Sequence, residues 1–248
     1  MWAGVRASQL RQWQESWIHP SLHGGRAGHE TLDGVFETNL HIEQAQSENT
    51  PLYLMLLDYR KFFDFIVTEL IWGLASWWGM PKGIVRLLRT VYVELSSIFK
   101  FNGHFGQPWK RTNSLAQGCS FSMMLVNLPV TAWAKAILHK LHPNAAGISA
   151  YVDDKVIRSP SWAVLQKLLE RTTQFDRFTG QFLNFDKSMG LCTVKEGIEK
   201  LKNLVVEGKP LLITKDAKSL GALVTTAMNP KSFIVRKRIE NALLTAKR

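Results

Sequence analysis

Gly147-Ile148-Ser149-Ala150-Tyr151-Val152-Asp153-Asp154-Lys155-Val156-Ile157-Arg158 is the stretch from which the rest of the chain falls into place. Its first four residues are small and mostly apolar, and its last four alternate polar and β-branched side chains. That pattern predicts two short strands with Tyr151-Val152-Asp153-Asp154 at the turn between them. A tight turn with two adjacent carboxylates offers hard oxygen ligands, which Mg²⁺ selects together with substrate phosphates. Alone, such a turn says little, because aspartate is a favoured turn residue.

A second acid gives it weight. Leu52-Tyr53-Leu54-Met55-Leu56-Leu57 is a nearly continuous apolar run, as expected of a strand buried on both faces, and it ends on Asp58. If that strand lies beside the hairpin, Asp58 and Asp153 would jointly hold two metal ions roughly 3.5–4 Å apart, the arrangement used for in-line phosphoryl transfer. Between the two acids, Leu115-Ala116-Gln117-Gly118-Cys119-Ser120-Phe121-Ser122 is small and largely polar and leads into a helical pattern from about 123 to 139.

Taken together, Asp58-x-x-Lys61-x-Phe63-Asp64, Gln117-Gly118-x-x-x-Ser122 and Tyr151-x-Asp153-Asp154 resemble motifs A, B and C of reverse transcriptases, in that order. Gly180-x-x-x-Asn184-x-x-Lys187-Ser188 resembles motif D. Leu220-Gly221 after Lys218, and Gly25-Arg26 with Thr31-x-Asp33, resemble segments of LINE-like (non-LTR) elements. The resemblance implies an α+β polymerase palm, a mainly antiparallel sheet with helices packed on one face. Residues 1–50 would be a fingers remnant, 51–228 the palm and 229–248 the start of a thumb. Compared with the family, a basic fingers segment before the chain and most of a thumb after it would be missing.

The same resemblance implies RNA-directed DNA polymerase chemistry, with an RNA template, a DNA primer and deoxynucleotides as partners. Asp58 and Asp153 would be ligands of two Mg²⁺ ions, for which Mn²⁺ would substitute, and Asp154 a weaker ligand or support. Lys187 would neutralise or protonate the pyrophosphate, or else be a solvated lysine. Tyr59 would offer its carbonyl, and Tyr151, Gln117 and Gly118 would meet the nucleotide. Phe63 would press on the sugar 2′ carbon, or else be a core aromatic at a helix start. Ser122 reads as a helix cap and Asp64 as a structural carboxylate near a helix N-terminus. Arg26, in a glycine-rich loop, would touch phosphate unless that loop is a plain connector. Two other readings are a non-catalytic or decayed nucleic-acid-binding relative and an RNA-templated RNA polymerase.

The charge agrees with a polyanionic partner. The 248 residues carry a net charge of +11, and neutralised phosphates release counterions on binding. From Met189 onward there are 12 Lys/Arg against 5 Asp/Glu, ending in Arg236-Lys237-Arg238 and Lys247-Arg248, candidate backbone contacts. A basic protein with no nucleic-acid role is the plainer alternative. Two cysteines give no disulfide framework and suit a reducing, intracellular compartment, nuclear or cytoplasmic. No Cys/His cluster has zinc-ligand spacing in sequence, and His139 and His142 read as surface residues. The most apolar stretch, 62–80, carries Asp64 and Glu69 and reads as a core helix, not a membrane span.

In chain order, the periodicity predicts helices over 3–18, 29–47, 63–79 and 82–95. A strand over 97–101 should turn at Asn102-Gly103 and return over 108–112. The helix after Ser122 should kink at Pro129. A helix over 161–179 should stop at Gly180. Strands are expected over 187–192, 211–214 and 219–224, and a basic helix over 231–248.

Overall fold

The computed structural model describes residues 2–227. The expected thumb start, the basic tail helix and Arg236, Lys237 and Arg238 lie outside the described residues.

At the centre is the strand Tyr53–Leu57, buried along its whole length. Five strands form the sheet, in the order Leu212–Ile213, Met189–Cys192, Tyr53–Leu57, Asp154–Ser159 and Gly147–Tyr151. All neighbours pair antiparallel except the outermost, Leu212–Ile213, which runs parallel to Met189–Cys192. The central register places Leu57 opposite Lys155. One step further along, Asp58 leaves its strand beside Asp154. The two motifs therefore meet at one end of the sheet.

The unbroken apolar run of an antiparallel strand needs cover on both faces, and it has it. Tyr53, Met55, Leu57 and Ile157 pack with Trp133, Leu165 and Leu168. These last three come from helices α7 (Ser122–Leu138) and α8 (Trp162–Thr179), which cross the main face. Leu54, Leu56, Val156 and Leu191 pack on the other face against Val35 and Ile42 of α3 (Thr31–Ser47) and against Val224. The expected palm is thus present, and its second face is also partly covered. Leu10, between the amino-terminal helices α1 (Trp2–Gln9) and α2 (Arg11–Trp17), and Trp17 at the end of α2 join Leu22 in the main core. Trp17 stacks on Trp78 with ring centroids 4.9 Å apart.

Several expectations are corrected. The helix predicted over 63–79 is two helices, α4 (Phe62–Phe65) and α5 (Thr68–Trp77). The break is tertiary: Leu115 and Ser114 donate their backbone N–H groups to the carbonyls of Phe63 and Ile66, both at 3.0 Å, so the helix cannot close there. The helix α6 (Lys82–Glu94) stands as expected, and α7 continues through Pro129. The Asn102-Gly103 turn forms with both residues at positive φ, but it closes a ladder of 100–101 with 104–105. Ser96–Ser97 pairs with Trp109–Lys110 as a second, outer ladder. The strand predicted over 219–224 is a hairpin, Asp216–Ser219 with Ala222–Thr225, turning at Leu220-Gly221 where both φ values are positive. A short helix α9 (Lys195–Lys202) and a small ladder of 205–206 with 209–210 were not anticipated. Gly180 ends α8 in the left-handed conformation, as expected. Among the described residues no helix is long and apolar enough to cross a membrane.

Candidate active site

The acidic hairpin turns on two residues, Val152 and Asp153, since Tyr151 and Asp154 are its last pair. Val152 has φ +61°, an outlier for a β-branched residue. Positive φ at only the first turn position is the type II′ pattern, which normally takes glycine there. Such a conformation costs on the order of 1–3 kcal/mol and persists only where surroundings enforce it. The surroundings do: Val152 is buried, and a Cβ on Gly24 would lie 2.9 Å from its Cγ2. The loop bearing Gly24 is anchored in turn by Asn127 Nδ2, which donates to the Gly24 carbonyl at 2.8 Å. The tip is therefore clamped from behind, and Asp153 is presented on a stiff support.

Asp58 and Asp153 line one open cleft of about 560 Å³ with Asn184 and Lys187. Asp154 lines an adjoining one with Asp58, Lys187 and Lys218. Burial, reinforced by the Asp58 charge, raises the Asp153 carboxyl above its ordinary value. Burial and the charges of Asp153 and Asp58 push Asp154 up to about 6. Three carboxylates thus converge where their mutual repulsion is only partly offset by lysine charge, and they form an all-oxygen donor set. That arrangement fits a divalent cation of the Mg²⁺ or Mn²⁺ kind. Lys187, exposed, lines both clefts, and its charge acts on both Asp153 and Asp154.

Sequence reasoning gave no role to the groups that hold Asp58. Asn184 Nδ2 donates to Asp58 Oδ2 at 2.9 Å, and the Asn184 backbone N–H donates to the Asp58 carbonyl at 2.9 Å. Ser188 Oγ accepts from the Asp58 backbone N–H at 3.1 Å. Ser188 Oγ also donates to the Asp58 carbonyl at 3.4 Å, so the motif D segment fixes the first acid through four bonds. Groups that orient a metal ligand typically influence affinity or activity 10- to 100-fold. Asn184→Ala is expected to weaken Mn²⁺ binding at this cluster by roughly that factor, read by electron paramagnetic resonance, with the circular dichroism spectrum unchanged. Unaltered Mn²⁺ affinity would make Asn184 a packing residue only.

The other candidates separate. The Tyr59 ring is buried and its hydroxyl donates to Asp176 at 2.9 Å, so only its main chain is available to the cleft. Gln117 and Gly118 are exposed, Gly118 at φ +87°, and Gln117 lines a neighbouring cleft with Asp64 and Arg111. Asp64 lies 3.7 Å from Arg111, in keeping with a structural role. Phe63 is half-buried against Phe62, and the ring lining the acid cleft is Phe65. Tyr151 is half-buried at the hairpin end.

Two assignments are corrected. Ser122 is no helix cap: it is the first residue of α7, and its hydroxyl donates to the Ala116 carbonyl at 2.5 Å, closing the Gln117-Gly118 loop on itself. Arg26 does not face a phosphate site. Its guanidinium is engaged within the chain, bonding Glu15 through Nε and Nη2 and the carbonyls of Pro20 and Leu22 through Nη1.

With this geometry in view, the comparisons with known proteins agree. The family model for reverse transcriptase (RNA-dependent DNA polymerase) matches residues 5–222. The chain belongs to the reverse transcriptase family. It is 25% identical over 187 residues to the retrovirus-related Pol polyprotein from the type-2 retrotransposable element R2DM of Drosophila melanogaster, a non-LTR element, as the motif likeness implied. That match covers 73% of this chain and 17% of the relative. Among solved structures, apo telomerase from Candida tropicalis superposes with a TM-score of 0.65 at 13% identity, over 90% of this chain and 44% of that one. Telomerase from Candida albicans in complex with a fragment of telomeric RNA gives 0.61 at 12%, over 90% and 36%. These structures share the right-hand polymerase fold. The chain spans less than half the length of each of these proteins.

Proposed function

We propose that this reverse transcriptase domain is the catalytic palm of an RNA-directed DNA polymerase, extending a DNA primer on an RNA template with deoxynucleotides. The observation that carries it is the meeting of Asp58 and Asp153 in one cleft beside Lys187, inside a chain of this family. In this reading residues 1–50 act as part of the fingers, 51–228 as the palm and 229–248 as the start of a thumb.

Asp58 and Asp153 would hold two Mg²⁺ ions, with Asp154 in support. Those ions would lower the cost of charge on the attacking and leaving oxygens of an in-line displacement. The chain's own residues do the rest by positioning. Asn184 and Ser188 keep the Asp58 carboxylate aimed into the cleft, and the clamped Val152 does so for Asp153. Lys187 neutralises charge on the departing pyrophosphate and supplies it with a proton. The test is incorporation of labelled deoxynucleotide on an RNA template with a DNA primer, with and without Mg²⁺. Extension that persists without Mg²⁺ or Mn²⁺ would overturn the two-metal role, and none with them while template–primer still binds would favour a non-catalytic binder.

Sugar selection is expected to rest on Phe63, five residues after Asp58 and tied to the Gln117 loop by the Leu115-to-Phe63 backbone bond. Phe63→Ala opens space at the 2′ position, so the ratio of kcat/KM for ribonucleotide over deoxynucleotide should rise. A single steric contact controls roughly 10- to 200-fold. An unchanged ratio would leave Phe63 to packing and turn attention to Phe65, the ring that lines the acid cleft.

A further inference from the structure

His23, His29 and Asp33 take no part in the polymerase reading, yet the fold brings them together. His23 sits at the outer edge of the hairpin sheet, where its backbone N–H donates to the Ala150 carbonyl at 2.9 Å. His29 ends the glycine-rich loop, and Asp33 lies in the first turn of α3. The Nδ1 atoms of His23 and His29 are 3.2 Å apart, and Asp33 Oδ2 is 3.8 Å from His29 Nδ1. One ligand atom from each of the three lies within 4.8 Å of the others.

We propose that His23, His29 and Asp33 bind one divalent transition-metal ion of the zinc class, separate from the Asp58–Asp153 cluster. Three observations support this. First, bonds of about 2.0–2.1 Å to a tetrahedral ion put neighbouring ligand atoms about 3.3 Å apart, close to the imidazole spacing seen. Second, His23 is turned correctly for a ligand. Its Nδ1 faces His29, while its buried Nε2 has no hydrogen-bond partner and points to Glu37 Oε2 at 3.7 Å. An ion on Nδ1 would fix the proton on Nε2 toward that carboxylate, the carboxylate–histidine–metal relation common in such sites. Third, the fold makes room for His23 here: a Cβ on Gly34 would lie 3.1 Å from the His23 ring and 2.4 Å from Ser149 Oγ. Two neutral imidazoles with one carboxylate select zinc-like ions over Mg²⁺, which takes oxygen ligands.

Bound there, the ion would staple the amino-terminal end of α3 to the loop 23–29. That loop carries Gly24, which backs Val152 at the catalytic tip. The site would therefore be structural, and it would stand whether or not the chain polymerises. In sequence the ligands are spaced six and four apart across a glycine loop, which hides them from a scan for zinc-ligand spacing.

Cobalt titration of the whole chain in excess Mg²⁺ tests this. The expected result is one Co²⁺ per chain with the intense visible bands of a four-coordinate site, displaced by Zn²⁺. The bands should vanish in His29→Ala, a half-exposed position, and persist in Asp58→Asn. Zn²⁺ should also move the imidazole proton resonances of two of the seven histidines and raise the Tm of the wild type, readouts that need no variant. A weak six-coordinate spectrum, or Co²⁺ binding unchanged in His29→Ala, would overturn the site. The two imidazoles would then simply share a hydrogen bond, with Asp33 serving only the Glu30 backbone N–H that it accepts at 2.7 Å.

Discussion

Asp58→Asn and Asp153→Asn should each lower primer extension on an RNA template by about 10²–10³-fold or more, the scale at which one group facing transition-state charge acts. Both substitutions keep size and shape, remove the negative charge and replace one acceptor oxygen by an amide donor. The same change should leave the fold intact and even stabilise it without metal. Asp153 is held above its ordinary value by burial and the Asp58 charge, and Asp154 by burial and the charges of Asp153 and Asp58, so the folded state binds protons that the unfolded chain gives up. For Asp154 the stability this provides is fully present below its unfolded value and is lost as pH rises from about 4 through about 6. At neutral pH the charged cluster is therefore a burden, and removing one charge lightens it. The combined signature is lost extension with an equal or higher Tm in chelator, and a smaller Tm gain on adding Mn²⁺. Asp154→Asn should cost less activity, as the supporting acid. Extension within tenfold of wild type in either of the first two variants would sink the assignment.

The parts of this site that were legible in the sequence are those fixed by local pattern. Leu52 to Leu57 announced a doubly buried strand, and a small apolar run, an acidic pair and an alternating run announced the hairpin. Register then did the rest, because antiparallel pairing of Leu57 with Lys155 brings Asp58 beside Asp154. What was not legible depends on partners far away in the chain. The break between α4 and α5 comes from backbone donors some fifty residues later, at Ser114 and Leu115. Arg26 looked free for phosphate because nothing local shows Glu15 and two carbonyls converging on it. The hairpin at 216–225 reads in sequence as a single strand over 219–224 because Leu220, at φ +49°, is not a residue type that favours turns. Helix α9 has eight residues with few apolar positions, too short a pattern to stand out. Asn184 was visible as part of a motif, but its bond to Asp58 crosses 126 positions.

Lys155 is the residue whose role was least visible, and its titration should be measurable as stability. It follows the acidic pair directly, and the strand's alternation turns its side chain away from the cleft into the core, where the residue is 2% exposed. Its ammonium sits 4.0 Å from the Tyr59 ring centroid and 4.8 Å from that of Trp133. Burial lowers its pKa to about 8, while the charges of Asp176 and Asp153 hold it from falling further. The sign follows from linkage. Between about 8 and the unfolded value of 10.5, the unfolded chain binds a proton that the folded chain does not. Folding is therefore penalised below that window, and stability rises with pH through it. At about 1.4 kcal/mol per unit of displacement, the rise from pH 8 to 10 should be on the order of 2 kcal/mol. Lys155→Met, similar in length and apolar, should abolish it. Tyr59, Tyr92 and Cys192, all raised in the fold with burial the leading cause, act in the opposite sense at the alkaline end. Cys192 and Tyr92 drop out of the difference between wild type and variant, whereas Tyr59 touches Lys155 and limits the comparison to pH below 10. Asp176, raised to about 6 chiefly by burial and steadied by Lys155, should titrate higher in the variant, adding a second difference between pH 6 and 7. Urea unfolding from pH 6 to 10 decides the matter. Parallel stability curves for wild type and Lys155→Met would mean that this lysine keeps its charge in the core and that the aromatic cage, not deprotonation, accommodates it.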